Sequence, residues 1–258
     1  MTTFHAKTWT RLGLALTLSA GLAACGGEGG EPGATAEGGE GGAERGASAP
    51  VGEGGEGGAE GGAAGEAGAQ AAYAAVAPES RQALRIAHLK GFFLVAKESA
   101  RVEGPEAAAA LVGQGLLEVY DPQKARFEGV DEAVLRRAAE TGAPTDLDAA
   151  IRALDQAQQR AGGSGAEVAK GMTSIAAGLY RHVVQANAVD PVEYQHAYGA
   201  ALAARDAAKG AEAAPARADI ERFVALWPSV TAPEQPSAAT PYSQVQAQAS
   251  RIELALAE

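Results

Sequence analysis

Between residues 26 and 68 the chain reads GGEGGEPGATAEGGEGGAERGASAPVGEGGEGGAEGGAAGEAG, nine glutamates against the single Arg45. Glycine keeps backbone entropy high, the glutamates repel one another, and almost no apolar surface is there to be buried. Such a tract cannot fold on its own. It reads as a tether whose random-coil span over these residues is roughly 35–40 Å. Everything able to form a core therefore lies in residues 69–258 of a chain of 258 residues. The GGEGG repeats imitate phosphate-binding loops only superficially, because no strand precedes them and no helix follows.

The segment before the tether is also constrained. Lys7 and Arg11 precede an apolar run from Leu12 to Ala24, which is too short for a stable membrane span of about 20 residues. The run ends in Leu22-Ala23-Ala24-Cys25-Gly26. Cys25 is the only cysteine, so no disulfide forms within one chain. The Leu-Ala-Ala-Cys ending resembles the lipobox of bacterial lipoproteins. That resemblance implies a signal peptide over residues 1–24, cleavage before Cys25, and lipidation of Cys25 with diacylglyceryl and amide-linked palmitate-type chains. It also implies an outer-membrane anchor facing the periplasm, since Gly26 stands where the inner-membrane retention signal has Asp; the inner membrane is the alternative. The membrane is thus one expected partner, through the lipid.

Beyond Ala69 the composition favours helices. Alanine dominates the 47% hydrophobic content and aromatics make up only 5%, which suits close helix packing better than sheets. Turn signals divide the region into helices: Pro78 to Val102, Pro105 to Tyr120, Gly129 to Glu140 with Gly142 behind it, and one capped by Thr145 or Asp146 and stopped at Gly162. Four more run from Ala166 to Ala188, from Pro191 to Lys209 with Asp190 as cap, from Ala216 to Trp227, and from Thr240-Pro241 to the end. No segment alternates with period two for long. The expected fold is all-α, a bundle of about eight helices, either one domain over 69–258 or two pseudo-symmetric halves. The net charge of −11 disfavours nucleic acid as a partner.

An internal echo bears on the halves. HLKGFFLVAKESA (88–100) and HAYGAALAARDAA (196–208) align without gaps, pairing His88 with His196 and Gly91 with Gly199. Glycine inside a helix costs about 1 kcal/mol against alanine and is kept where another backbone comes close. Gly91 and Gly199 are therefore expected to mark the crossing of two long helices. The histidines, three residues earlier, fall on nearly the same face and are expected to approach each other.

The stretch AHLKGFFLVAKESARVEGPEAAAALVGQGLLEVYD, with VEYQHAYGAALAARDAA further on, resembles exported helical proteins of proteobacteria related to the imelysin-like periplasmic proteins. The resemblance covers about a quarter of the chain and implies a duplicated helical fold and a periplasmic compartment. The chain departs from that pattern at Gly91-Phe92, where Gly-His is expected, and at Gln114-Gly115, where His-Pro is expected, so the resemblance does not carry a metal site with it.

For chemistry the residues offer one sharp candidate. His88, His196 and Glu193 could hold a divalent metal, with Glu193 and His196 as an E-x-x-H pair on one helix face, and with His182, Glu98 and Asp206 as further donors. Only one such pair is present, which argues against a carboxylate-bridged two-metal centre. The competing reading has these histidines lining helix contacts. No nucleophile motif of the G-x-S-x-G, H-E-x-x-H or S-x-x-K type occurs, so no catalytic residue is expected. The carboxylates Asp131-Glu132, Asp146, Asp148, Asp219 and Glu221 fall in helix first turns. The aromatics read as core anchors, with a groove beside Tyr194 and Tyr198 as an alternative ligand site. The expected role is a non-enzymatic binding or scaffolding bundle for a small ligand or an envelope protein; the alternative is periplasmic metal handling through His88, His196 and Glu193.

Overall fold

The computed structural model describes residues 69–257; the expected signal peptide, Cys25 and the tether lie outside the described residues. After a helical segment at 69–75 and a 3₁₀ turn (Pro78–Ser80) come α1 (Arg81–Val102), α2 (Pro105–Gly115), α3 (Glu132–Thr141), α4 (Pro144–Ala161), α5 (Gly165–Tyr180), α6 (Pro191–Ala207), α7 (Arg217–Val224) and α8 (Tyr242–Ala255). The all-α expectation is met. No described helix is long and apolar enough to cross a membrane.

Helix α1 is the axis of the bundle, packed against α2, α4, α5 and α6. It has no polar face over most of its length, because neighbours cover it on every side. Leu84, Ile86, Leu89 and Phe93 are fully buried, each contributing on the order of 1.5–3 kcal/mol. Even Lys90 is enclosed, its Nζ donating to Asp155 Oδ1 (2.9 Å) and Gln158 Oε1 (2.7 Å) on α4 and to Asp206 on α6.

The glycine prediction holds. A Cβ built on Gly91 would lie 2.9 Å from the Gly199 carbonyl oxygen, and one on Gly199 would lie 2.7 Å from the Gly91 oxygen. Helices α1 and α6 thus cross backbone to backbone at these two residues.

Local chemistry explains the helix boundaries. Asp131, Ser164 and Asp190 each cap a helix, their side-chain oxygens accepting two backbone N–H groups. Gly142 closes α3 at φ +56°. Several boundaries differ from expectation: α2 gives way after Gly115, α3 starts at Glu132 and α7 ends at Val224. Helix α4 starts two to three residues earlier, with Ala143 as cap and Pro144 at the first position. Asp146, expected as cap, accepts instead from Arg137 Nε (3.1 Å) and Thr141 Oγ1 (2.8 Å). Helix α5 does not run on to Ala188 but ends at Tyr180. Residues 184–189 form a two-residue antiparallel ladder, Val184 opposite Val189, turned by Ala186 and Asn187 at φ +47° and +62°. Positive φ at both turn positions matches the twist of a tight hairpin. The ladder is too short to leave alternation in the sequence.

Candidate functional site

Where α1 and α6 diverge from their glycine crossing, a cavity of about 540 Å³ opens between them. One wall comes from the helical segment 69–75 through Ala69, Gln70 and Tyr73, another from α1 through His88 and Phe92. The third comes from α6 and its cap through Asp190, Val192, Glu193 and His196.

The fourth wall is unusual. Helix α2 passes at Gly115 into a single π-helical turn, Leu116–Tyr120, which contributes Leu117, Glu118 and Val119 to the cavity. Short π-helical insertions occur frequently at functional sites. Gly115 has a steric reason: a Cβ there would sit 2.6 Å from both Cβ and Cγ of Phe92. Its absence lets the Phe92 ring settle against the end of α2.

Phe92 in turn separates the two echoed histidines. Its ring lies 6.0 Å from His88 and 4.7 Å, edge-on, from His196. Tyr73 extends the row, 6.2 Å from His88, with its hydroxyl 2.8 Å from His88 Nδ1. His196 has Nε2 3.2 Å from Gln114 Oε1 and Nδ1 3.7 Å from Glu118. Phe92, Gln114 and Gly115, the places where the sequence departs from the resemblance, therefore meet at this one point.

Burial sets the charges. It depresses the His88 pKa to about 4, helped by His196, and also depresses His196 to about 4, opposed in part by Asp190. Both rings are neutral at pH 7. Burial also raises Glu193 to about 7, with the Asp190 and Glu118 charges adding to the rise. Glu193 is 6% exposed, and its Oε2 is buried without a hydrogen-bond partner among the described residues. A buried carboxyl oxygen left in that state costs free energy and calls for an explanation.

The structure thus gathers His88, His196 and Glu193 around one cavity. It does not bring them together as a metal centre: among the described residues no group of three or more His, Cys, Asp or Glu side chains is placed to hold an ion. The other proposed donors are elsewhere. Asp206 binds Lys90, Glu98 pairs with Arg101, and His182 sits beside Arg181. The Tyr194 and Tyr198 groove is not formed. Tyr194 is buried with its hydroxyl donating to the Ser229 carbonyl (3.0 Å), and Tyr198 stacks on Trp227 at 6.1 Å. Compared with known protein families, curated proteins and solved structures, the chain gives no match.

Proposed function

We propose that this chain is a lipid-anchored binding protein whose helical domain takes a small ligand into the cavity between α1, α6 and the π-turn, without transforming it. The observation that carries the reading is the Glu193 side chain, which lines a cavity of about 540 Å³ and keeps a buried carboxyl oxygen without a hydrogen-bond partner among the described residues. Ligand pockets of this size are mostly apolar with a few placed polar groups. Here Phe92, Leu179 and Val192 supply the apolar surface, and Glu193, Gln123 and the two histidines supply the polar groups. No serine, threonine, cysteine or lysine is among the described lining residues, which favours binding over turnover.

N-Phenyl-1-naphthylamine, an uncharged dye that brightens in apolar surroundings, tests the cavity. The full chain should enhance its emission saturably. Val192→Trp, at an exposed position on the rim, should fill the mouth and weaken that binding at least tenfold. Equal binding by the variant would remove the cavity from consideration. The anchor has a separate check: Cys25→Ser should move the protein from the membrane fraction to the soluble fraction, and retention on membranes would refute the lipid assignment.

A further inference from the structure

The geometry points to an organic ammonium ion as the ligand of this cavity, held by the Glu193 carboxyl and by the aromatic row of Tyr73, Phe92 and the two imidazoles. This inference rests on the binding reading above and gives its ligand a chemical class.

Three independent features converge. The ionisable side chains lining the cavity, apart from the two histidines and Tyr73, are acidic: Glu118, Asp190 and Glu193. No lysine or arginine is part of the lining. Arg85 lies behind one wall, its guanidinium carbon 5.2 Å from the Tyr73 ring centroid and its Nε bonded to Gln123, so it is already engaged. An anionic ligand would meet carboxylates with no cation to answer it.

The second feature is the Glu193 carboxyl itself, more than nine-tenths buried, with Oε2 lacking a partner. Asp190 is committed to its cap, accepting from the backbone N–H groups of Val192 and Glu193. Glu193 is the group whose charge a cationic ligand would balance.

The third feature is the row of rings. From Tyr73 through His88 and Phe92 to His196, successive centroids lie 6.2, 6.0 and 4.7 Å apart. Electron-rich ring faces beside a carboxylate attract alkylated ammonium groups, whose charge is diffuse and whose hydration is weak. A metal ion would find a single lone pair on the neutral His196 ring, because Nε2 donates its N–H to Gln114 Oε1. An ammonium ion needs only the ring faces. At the mouth, Leu117 is 68% exposed and Val192 39% exposed, giving the ligand's hydrocarbon portion an apolar rim.

Choline and its uncharged carbon isostere 3,3-dimethylbutan-1-ol have nearly the same shape and differ in charge. Calorimetric titration of the full chain in detergent should show choline binding at least tenfold more tightly. Glu193→Gln, which keeps the shape of the side chain, should abolish that preference. Phe92→Leu should weaken choline at least fivefold and the isostere little. Equal affinity for the two probes would overturn the inference while leaving the cavity as a neutral binding site. So would binding of N-phenyl-1-naphthylamine with no response to choline, or zinc binding that Glu193→Gln abolishes in a protein indifferent to choline. If none of these probes binds, the binding reading falls with it.

Discussion

Replacing Gly91 by alanine tests the helix crossing on which the cavity depends. The new methyl would lie 2.9 Å from the Gly199 oxygen, 3.0 Å from its carbonyl carbon and 3.4 Å from Ala200 N. Comfortable contact begins near 3.5 Å, so α6 must retreat by about half an ångström. The obstacle is backbone, and no rotamer change relieves it. Overpacking of this kind costs about 1–3 kcal/mol, against about 1 kcal/mol gained by removing glycine from a helix. The net is a loss of up to about 2 kcal/mol, or a fall of up to about 8 °C in Tm for a domain of this size. Gly199→Ala, with its methyl 2.7 Å from the Gly91 oxygen and 3.1 Å from Val95 Cγ1, should cost at least as much. The double variant should cost less than the sum, because one separation of the helices accommodates both methyls. Gly178→Ala in α5 and Gly113→Ala in α2 are internal controls. Neither methyl would meet anything within 4 Å, so each should gain up to about 1 kcal/mol. Thermal melts followed by circular dichroism read all five. A Gly91→Ala protein that melts higher than its parent, as the controls should, would show that α1 and α6 do not cross at these residues.

Four further outcomes follow from the same geometry. Gly142→Ala should destabilise by about 3 kcal/mol or more in urea unfolding, since φ is +56° and the methyl would lie 1.8 Å from the Pro105 oxygen; a loss below 1 kcal/mol would disprove that contact. Asp206→Ala should cost about 2 kcal/mol by leaving Lys90 buried with one carboxylate instead of two. Burial works to raise the Asp206 pKa, but Lys90 and Lys209 outweigh it and hold it low, so this contribution is present above the ordinary carboxylate range and lost as acid titrates the folded group. The histidines give a second pH window. Their folded pKa values near 4 lie below the usual 6.5, so the unfolded chain takes up protons first and stability falls between pH 6.5 and 4, by up to about 3 kcal/mol for each ring. Glu193, raised to about 7, acts in the opposite sense, its proton stabilising the folded state below pH 4.5 and ceasing to do so as pH rises to 7. Glu193→Gln should therefore stabilise the protein at pH 8 by about 1–3 kcal/mol and have little effect at pH 4; an equal gain at both would contradict the assignment.

The fold was legible because each helix carries its own punctuation. Pro105, Asp190-Pro191 and Gly142 act within a single turn, so their effect can be read without knowing the neighbours. The crossing was legible for a related reason: two glycines in equivalent frames of two long helices had few explanations other than contact. The hairpin at 184–189 was hidden because two paired residues cannot establish a period. The cavity was half visible. His88, His196 and Glu193 stood out as residue types, whereas Tyr73, Gln114 and Glu118 reach them from other segments through tertiary packing alone. The π-turn leaves no periodic trace, although the steric need for Gly115 beside Phe92 offered a hint.

The enclosed Lys90 settles a choice that the apolar core leaves open. Where Ala200, Ala201, Ala203 and Ala204 line α6, a shift of one helical turn, about 5.4 Å, would exchange alanine for alanine at several positions, and the Gly91–Gly199 contact is the steric feature that resists it. One ammonium group with Asp155 and Gln158 on one side and Asp206 on the other has no second alignment that satisfies it. The charge therefore acts as an index pin beside the glycine contact: both accept the alignment in which the two glycines meet and the histidines face the same space.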